Sequence, residues 1–356
     1  MHHTSRHRTL NLPRNQPLIP IGANIGTNAA HNEIVPTDIE IVPFLRPEHE
    51  IQIARAIRSA RAESTLRMYA SVIRHFTAWA EANGYPELPA RPEIVAAYVT
   101  SRAIEPGGVA AATLGLAVSA LGAWHRDRGF DDPTRSPGMA SVLAGLRRQL
   151  TTAPEQAPAL DLAHWRRILD GIVGDSPPAK RDRALILLGL AGCLRRSELV
   201  AIRRSELTLK PGSILLSIPR SKTDQESAGA LVSISAGKSD ATCPVRATMR
   251  WLAVRNPAPT DPIFCRLSKS GTVLPGGLDG RAVNLMLARR SLAVGLDHLR
   301  VTAHSLRASH ATIATANGAR LADLAHTGRW QSQETVLRYQ RVINIEQETT
   351  SRLLGL

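Results

Sequence analysis

Between residues 60 and 150 the apolar positions recur at helical spacing. Leu66, Tyr69, Ile73, Phe76 and Ala80 fall three and four apart, one stripe of an amphipathic helix. Ser64 is placed to cap its start, and Gly84 and Pro86 to stop it. Pro92 opens a second helix through Ile94, Val95 and Tyr98. A third presents Leu114, Val118, Leu121 and Trp124 inward, with Thr113 as its cap and Gly129 at its end. A fourth runs from about Gly138 to Leu150. The pattern predicts a helical domain over residues 47–150, decorated by Arg61, Arg67, Arg74, Arg126, Arg128, Arg147 and Arg148.

The flanks lack such a period. Residues 1–46 mix Pro, Asn, Thr and His and read as a flexible tail. Residues 151–159, with Pro154 and Pro158 among small residues, read as a linker. A second domain spans 160–356. Helical patterns cover 162–172 and 178–192, followed by two β-rich runs, Ser213–Ile218 and Ala230–Ser235. Those runs bracket the polar Arg220–Glu226 and predict a hairpin; loops and helices alternate after it. The expected fold class is mainly α with a small antiparallel β-sheet: an N-terminal helical bundle, then an α+β domain. No internal repeat is visible.

The longest nearly unbroken apolar run, Ala184 to Leu194, is well short of the ~18–20 residues a membrane span needs. Met1 to Arg8 has no apolar segment behind it, so no secretory signal is expected. The three cysteines, Cys193, Cys243 and Cys265, are odd in number and far apart. They suggest neither a disulfide framework nor a zinc site, and a reducing cytoplasm fits them. Cys193 reads as a small core residue.

Charge changes the picture most. The chain carries 44 basic and 30 acidic residues, a formal net charge of +14. Only five of the basic residues are Lys (180, 210, 222, 238, 269) and 39 are Arg. A GC-rich genome accounts for the Arg-to-Lys ratio but not for the excess charge. Arg is the bidentate phosphate clamp, and the balance points to a polyanion, nucleic acid first.

Four features then carry chemistry. Of four tyrosines only Tyr339 lies in the second domain, in Val336-Leu-Arg-Tyr-Gln-Arg341. In isolation it would read as a half-buried aromatic on a terminal helix. His304 and Arg307, three apart, share a face near the start of a helix that Thr302 can cap and Gly318 can end. Such an N-terminus suits phosphate. Leu194-Arg-Arg-Ser-Glu-Leu199 puts two arginines at the end of the most apolar helix, and Arg195 with Glu198 makes an i,i+3 pair. Lys222 lies at the hairpin tip, where Lys can give up a proton and Arg cannot.

In chain order, Arg195 in L-R-R-S-E-L, Lys222 in a hairpin, His304-x-x-Arg307, Trp330 in Gly-Arg-Trp-Gln-Ser and Tyr339 nine residues later resemble the tyrosine recombinase (phage integrase) family. The resemblance covers roughly residues 47–345, including Asp132-Pro-Thr-Arg135 in the helical domain. Each motif alone is weak; five in register are specific. Trp330 departs from the histidine of many members. Its N–H donates but cannot act as acid or base. His326 reads as a residue near the site, and His310 as one that packs or caps.

The resemblance implies a site-specific recombinase that cleaves and rejoins DNA through a 3′-phosphotyrosine. Tyr339 would be nucleophile, and Arg195 and Arg307 the phosphate clamp. Lys222 would be general acid, Trp330 a hydrogen bond to phosphate, and His304 a proton acceptor or a second phosphate contact. No metal, cofactor or ATP is implied, because two guanidiniums supply the charge and the covalent bond conserves energy. The implied partners are double-stranded DNA with inverted-repeat sites, a homotetramer on DNA, and accessory DNA-bending or directionality proteins. The implied place is the cytoplasm, at the nucleoid. Leu353, Leu354 and Leu356 would dock on a neighbouring protomer or fold back on their own domain. The rivals are a type IB topoisomerase-like enzyme that relaxes DNA and a catalytically silent DNA-binding regulator.

Overall fold

A computed structural model describes residues 46–105, 107–150, 157–219, 229–330 and 336–337. The chain divides into two compact units, Met1–Pro154 and Glu155–Leu356. Architecture matches the expected class: mainly helical, with one three-stranded antiparallel sheet among the described residues.

The first unit holds α1 (Pro47–Ser59), α2 (Glu63–Ala82), α3 (Pro92–Ile104), α4 (Ala111–Arg126) and α5 (Pro137–Gln149). The predicted stripe of α2 turns inward: Ile73, Phe76 and Ala80 are fully buried. Phe76 meets Tyr98 of α3 and Trp124 of α4 edge to face, with ring centroids 5.2 and 6.3 Å apart. Pro92 and Pro137 each stand at the first helical position, where no N–H is needed. Two predicted caps are corrected. α2 starts at Glu63 after Ala62, which leaves Ser64 inside the first turn. α4 starts at Ala111 after Ala110, with Thr113 exposed one turn in; an alanine run is good helix former and extends the helix backward. Helix α1, polar over much of its length, had no apolar stripe to announce it.

His125, at the end of α4, is fully buried. Its Nδ1–H donates to the Leu121 carbonyl (2.8 Å) and its Nε2 accepts from the Ala90 N–H (2.9 Å), which fixes one neutral tautomer. Asp132 accepts from the Thr134 backbone (2.9 Å) and hydroxyl (2.6 Å) and pairs with Arg126. Gly122 packs on this cluster, and a Cβ there would stand 2.7 Å from Asp132 Oδ1.

The second unit begins with α6 (Leu162–Asp170) and α7 (Pro177–Ala191), followed by α8 (Arg196–Ala201) and the strands β1 (Leu207–Lys210), β2 (Ser213–Ile218) and β3 (Ala230–Ser235). It continues through α9 (Pro244–Arg255), α10 (Gly280–Leu292), α11 (Ala303–Ala316) and α12 (Leu321–Gly328). α7 is apolar nearly all round, and Ala184 through Leu188 are buried because α9 and α11 both pack on it. Strands β2 and β3 have the predicted bounds, paired Ile214 to Ile234 and Leu216 to Val232, with these four side chains buried on one face. The four-residue β1, paired Leu207 to Leu216, was too short to signal itself. Among the described residues no helix is long and apolar enough to cross a membrane. The cysteines are all free and buried.

Candidate active site

The most apolar helix ends where the chemistry begins. After α7, Gly192 packs against Leu194 and Ile234, and Cys193 takes a left-handed backbone (φ 49°) that few residues with a Cβ adopt. That turn aims the Cys193 carbonyl at the side chain of Arg307, whose Nη1 donates to it at 2.7 Å. Arg307 lies in α11 at 3% exposure. Its Nη2 donates to the Gly328 carbonyl at the end of α12, and its guanidinium carbon stands 4.2 Å from the ring centroid of Trp330. Burial, then the charges of Arg195 and Arg329, push its pKa down to about 10, with Cys193 and Glu198 opposing. It therefore stays ionised at neutral pH.

Arg195 caps α8. Glu198, one turn on, reaches back to the Arg195 N–H (2.8 Å) and binds Arg195 Nη1 (2.7 Å), so the i,i+3 pair forms as the sequence suggested. Arg195 Nη2 donates to the Arg329 carbonyl at 3.0 Å. Burial alone would raise the Glu198 carboxyl; the Arg329 charge and the Arg195 hydrogen bonds outweigh it and hold the pKa below the ordinary range. Arg196 points elsewhere, exposed and lying along Gly280 at the start of α10.

Thr302 occupies the N-cap of α11, with its N–H donating to the Ser305 hydroxyl (3.1 Å), and Gly318 follows the helix at φ 83°. His304 is open to solvent at that N-terminal end. Partial loss of hydration, then the Arg307 charge, lowers its pKa, which favours the neutral imidazole at pH 7. His310, deeper in α11, packs: its Nδ1–H donates to the Leu190 carbonyl at 2.9 Å. His326 is exposed on α12.

Arg195, Arg307 and Trp330 are thus gathered about two turns, Cys193–Arg195 and Gly328–Trp330, and His304 stands on the same helix as Arg307. Lys222 and Tyr339 lie outside the described residues, as do the tails 1–45 and 338–356. Val336, three residues before Tyr339, is fully buried, whereas Leu337 is exposed. Sequence reasoning missed three contributors. The Cys193 carbonyl, read only as part of a core residue, anchors two guanidiniums. Gly328 supplies a carbonyl and the room for the Trp330 ring. Arg329 is buried between them. The visible signal was Gly328-Arg329 directly before Trp330. Among the described residues no three His, Cys, Asp or Glu side chains gather as a metal site would require.

A sequence model described as the phage integrase family matches residues 160–344. An integrase/recombinase xerD homolog of Selenomonas ruminantium is 28% identical over 298 residues, covering 83% of this chain and 86% of that protein. Recombinase cre of Escherichia phage P1 is 28% identical over 315 residues, covering 83% of this chain and 89% of its own length. Among solved structures, XerH site-specific recombinase bound to palindromic difH substrate, a post-cleavage complex, superposes with a TM-score of 0.54 at 18% identity. It spans 85% of this chain and 84% of XerH.

Proposed function

This chain belongs to the phage integrase family and is a site-specific tyrosine recombinase, a DNA strand-transferring enzyme, and we propose that Tyr339 is its nucleophile with Arg195, Lys222, His304, Arg307 and Trp330 serving the transfer. One observation carries the assignment of the clamp. Two guanidiniums more than a hundred residues apart in sequence are anchored to the same pair of turns, Arg307 by Cys193 and Gly328, Arg195 by Glu198 and Arg329. Arg195, Arg307 and Arg329 against the one carboxylate of Glu198 leave this cluster net positive, which suits a phosphodiester.

The Tyr339 phenolic oxygen attacks the scissile phosphorus, forming a 3′-phosphotyrosyl bond as the P–O5′ bond breaks. His304, neutral at working pH, accepts the phenolic proton or hydrogen-bonds the phosphate. Lys222 protonates the leaving 5′-oxygen. Arg195 and Arg307 neutralise the charge that builds on the non-bridging oxygens, and Trp330 packs on Arg307 and closes the cage. A 5′-hydroxyl of another strand then attacks the phosphotyrosine, restores the diester and frees Tyr339. No metal or ATP enters, because the charge comes from arginine and the bond energy is conserved.

Exchange between two duplexes requires four nucleophiles, so four copies would assemble on double-stranded DNA at inverted repeats, with accessory bending or directionality proteins where the site demands them. The topoisomerase-like and silent-regulator readings are not favoured, since the matched relatives are recombinases and the described catalytic positions are all filled. The test is covalent capture on a nicked duplex. The unaltered chain should form a denaturant-stable protein–DNA adduct, and Tyr339→Phe should form none. An adduct that survives this change removes Tyr339 from the role.

A further inference from the structure

We propose that Arg329 is a positioning residue of the phosphate clamp, holding both clamp arginines through their shared supports; the proposal rests on the reading of Arg195 and Arg307 just given.

The geometry points to it from three sides. Arg329 has a left-handed backbone (φ 54°) directly after α12, a conformation that disfavours a side chain with Cβ. Its own carbonyl is thereby turned to accept from Arg195 Nη2 at 3.0 Å. Its guanidinium folds back into the protein, with a side-chain exposure of 7%. There Nη1 donates to the Thr327 carbonyl (2.6 Å), while Nη2 donates to the Cys193 carbonyl (3.0 Å) and to Glu198 Oε2 (2.6 Å). The Cys193 carbonyl is the group that holds Arg307, and Glu198 is the group that holds Arg195. One buried cation therefore ties together the two anchors of the clamp.

Charge adds a second effect. Glu198 paired with Arg195 alone would cancel the charge that Arg195 offers a phosphate. With Arg329 on its other oxygen, the Arg195–Glu198–Arg329 group keeps a net positive charge. Arg329 acts through these partners, since its bonds are directed into the protein. Lys would keep the charge but cannot fork among a carboxylate and two carbonyls.

The experiment uses the full chain and a nicked duplex selected from a randomised pool by covalent capture on the unaltered protein. A second duplex carries a methylphosphonate at the scissile position, which removes the charge that the clamp neutralises. Arg329→Ala should slow adduct formation by about 100-fold and Arg329→Lys by about 10-fold, with duplex affinity within about threefold of the unaltered chain. On the methylphosphonate duplex the Arg329→Ala deficit should shrink at least about tenfold, because less charge remains to be held. Rates equal to the unaltered chain, or a deficit of the same size on both duplexes, overturn the proposal: a loss of general packing would not distinguish the two substrates. If Arg329→Ala does not fold, the same two-duplex comparison on Arg329→Lys decides it. If the unaltered chain captures no duplex, the reading of the clamp fails first and this proposal with it.

Discussion

The Arg307 guanidinium stacks on Trp330, with its central carbon 4.2 Å from the ring centroid, in a site where Arg307 is almost wholly withdrawn from water. A desolvated cation–π contact of this kind is worth about 2 kcal/mol. Trp330 thus has a role that histidine would fill less well as an aromatic platform. Trp330→Ala should lower the unfolding midpoint and, by releasing Arg307 from its fixed orientation, slow covalent adduct formation by about 10- to 100-fold. Trp330→Phe keeps the stack and loses the indole N–H, so its rate reports how much the N–H contributes. Single-turnover cleavage of the two variants separates the contributions.

Gly328 is held to glycine by the same ring. A Cβ built there would overlap the Trp330 ring. Gly328→Ala must therefore displace the Trp330 ring or the turn that offers the Gly328 carbonyl to Arg307. Overpacking of this kind costs about 1–3 kcal/mol. The expected result is a lowered unfolding midpoint together with slower cleavage. A variant that melts and cleaves like the unaltered chain would show that the ring moves aside freely.

Much of this was legible in the sequence because periodicity reports burial. The β-rich composition of Ser213–Ile218 and Ala230–Ser235 marked both hairpin strands to the residue, and the α2 stripe named Ile73, Phe76 and Ala80 as core. Local capping was less visible. Ser64 and Thr113 carry the right side chains at the wrong turn, because helix starts here follow alanines in extended conformation. The least legible part was the support of the clamp. Nothing in the letters Cys193 or Arg329 announces a left-handed backbone, and the Cys193 carbonyl meets Arg307 and Arg329 only after α7, α11 and α12 are assembled.

The first unit should lose stability in mild acid through His125. Its ring is buried, and burial pulls its pKa below the usual histidine value, against the Leu121 hydrogen bond and the Asp132 charge. Protonation would also cost the bond from the Ala90 N–H to Nε2. The folded pKa is therefore lower than the unfolded value of about 6.5. Stability from this group is complete above that value and falls as pH drops toward the folded pKa, because only the unfolded chain takes up the proton. Each unit of depression is worth about 1.4 kcal/mol. Denaturant melts between pH 8 and pH 5 should show this loss, and His125→Gln should start less stable and flatten the curve.

Arg195 and Arg307 should prove unequal on removal, although both serve the same phosphate. Arg195→Ala removes one donor to the non-bridging oxygens and should slow cleavage by about 100- to 1,000-fold, the usual cost of such a donor. Arg307→Ala should do the same and also destabilise the fold. It takes the Arg307 donor from the buried Gly328 carbonyl, at about 1–3 kcal/mol for an unsatisfied group, while the Cys193 carbonyl keeps Arg329. DNA affinity in both should stay within several-fold of the unaltered chain, because a chain of net charge +14 spreads its phosphate contacts widely. Removing one contact changes the slope of log affinity against log salt by no more than about one. Parallel titrations at several salt concentrations, with melts of each variant, check all three expectations. A collapse of binding in Arg195→Ala would mean that its guanidinium anchors the duplex and does not chiefly act in the transition state.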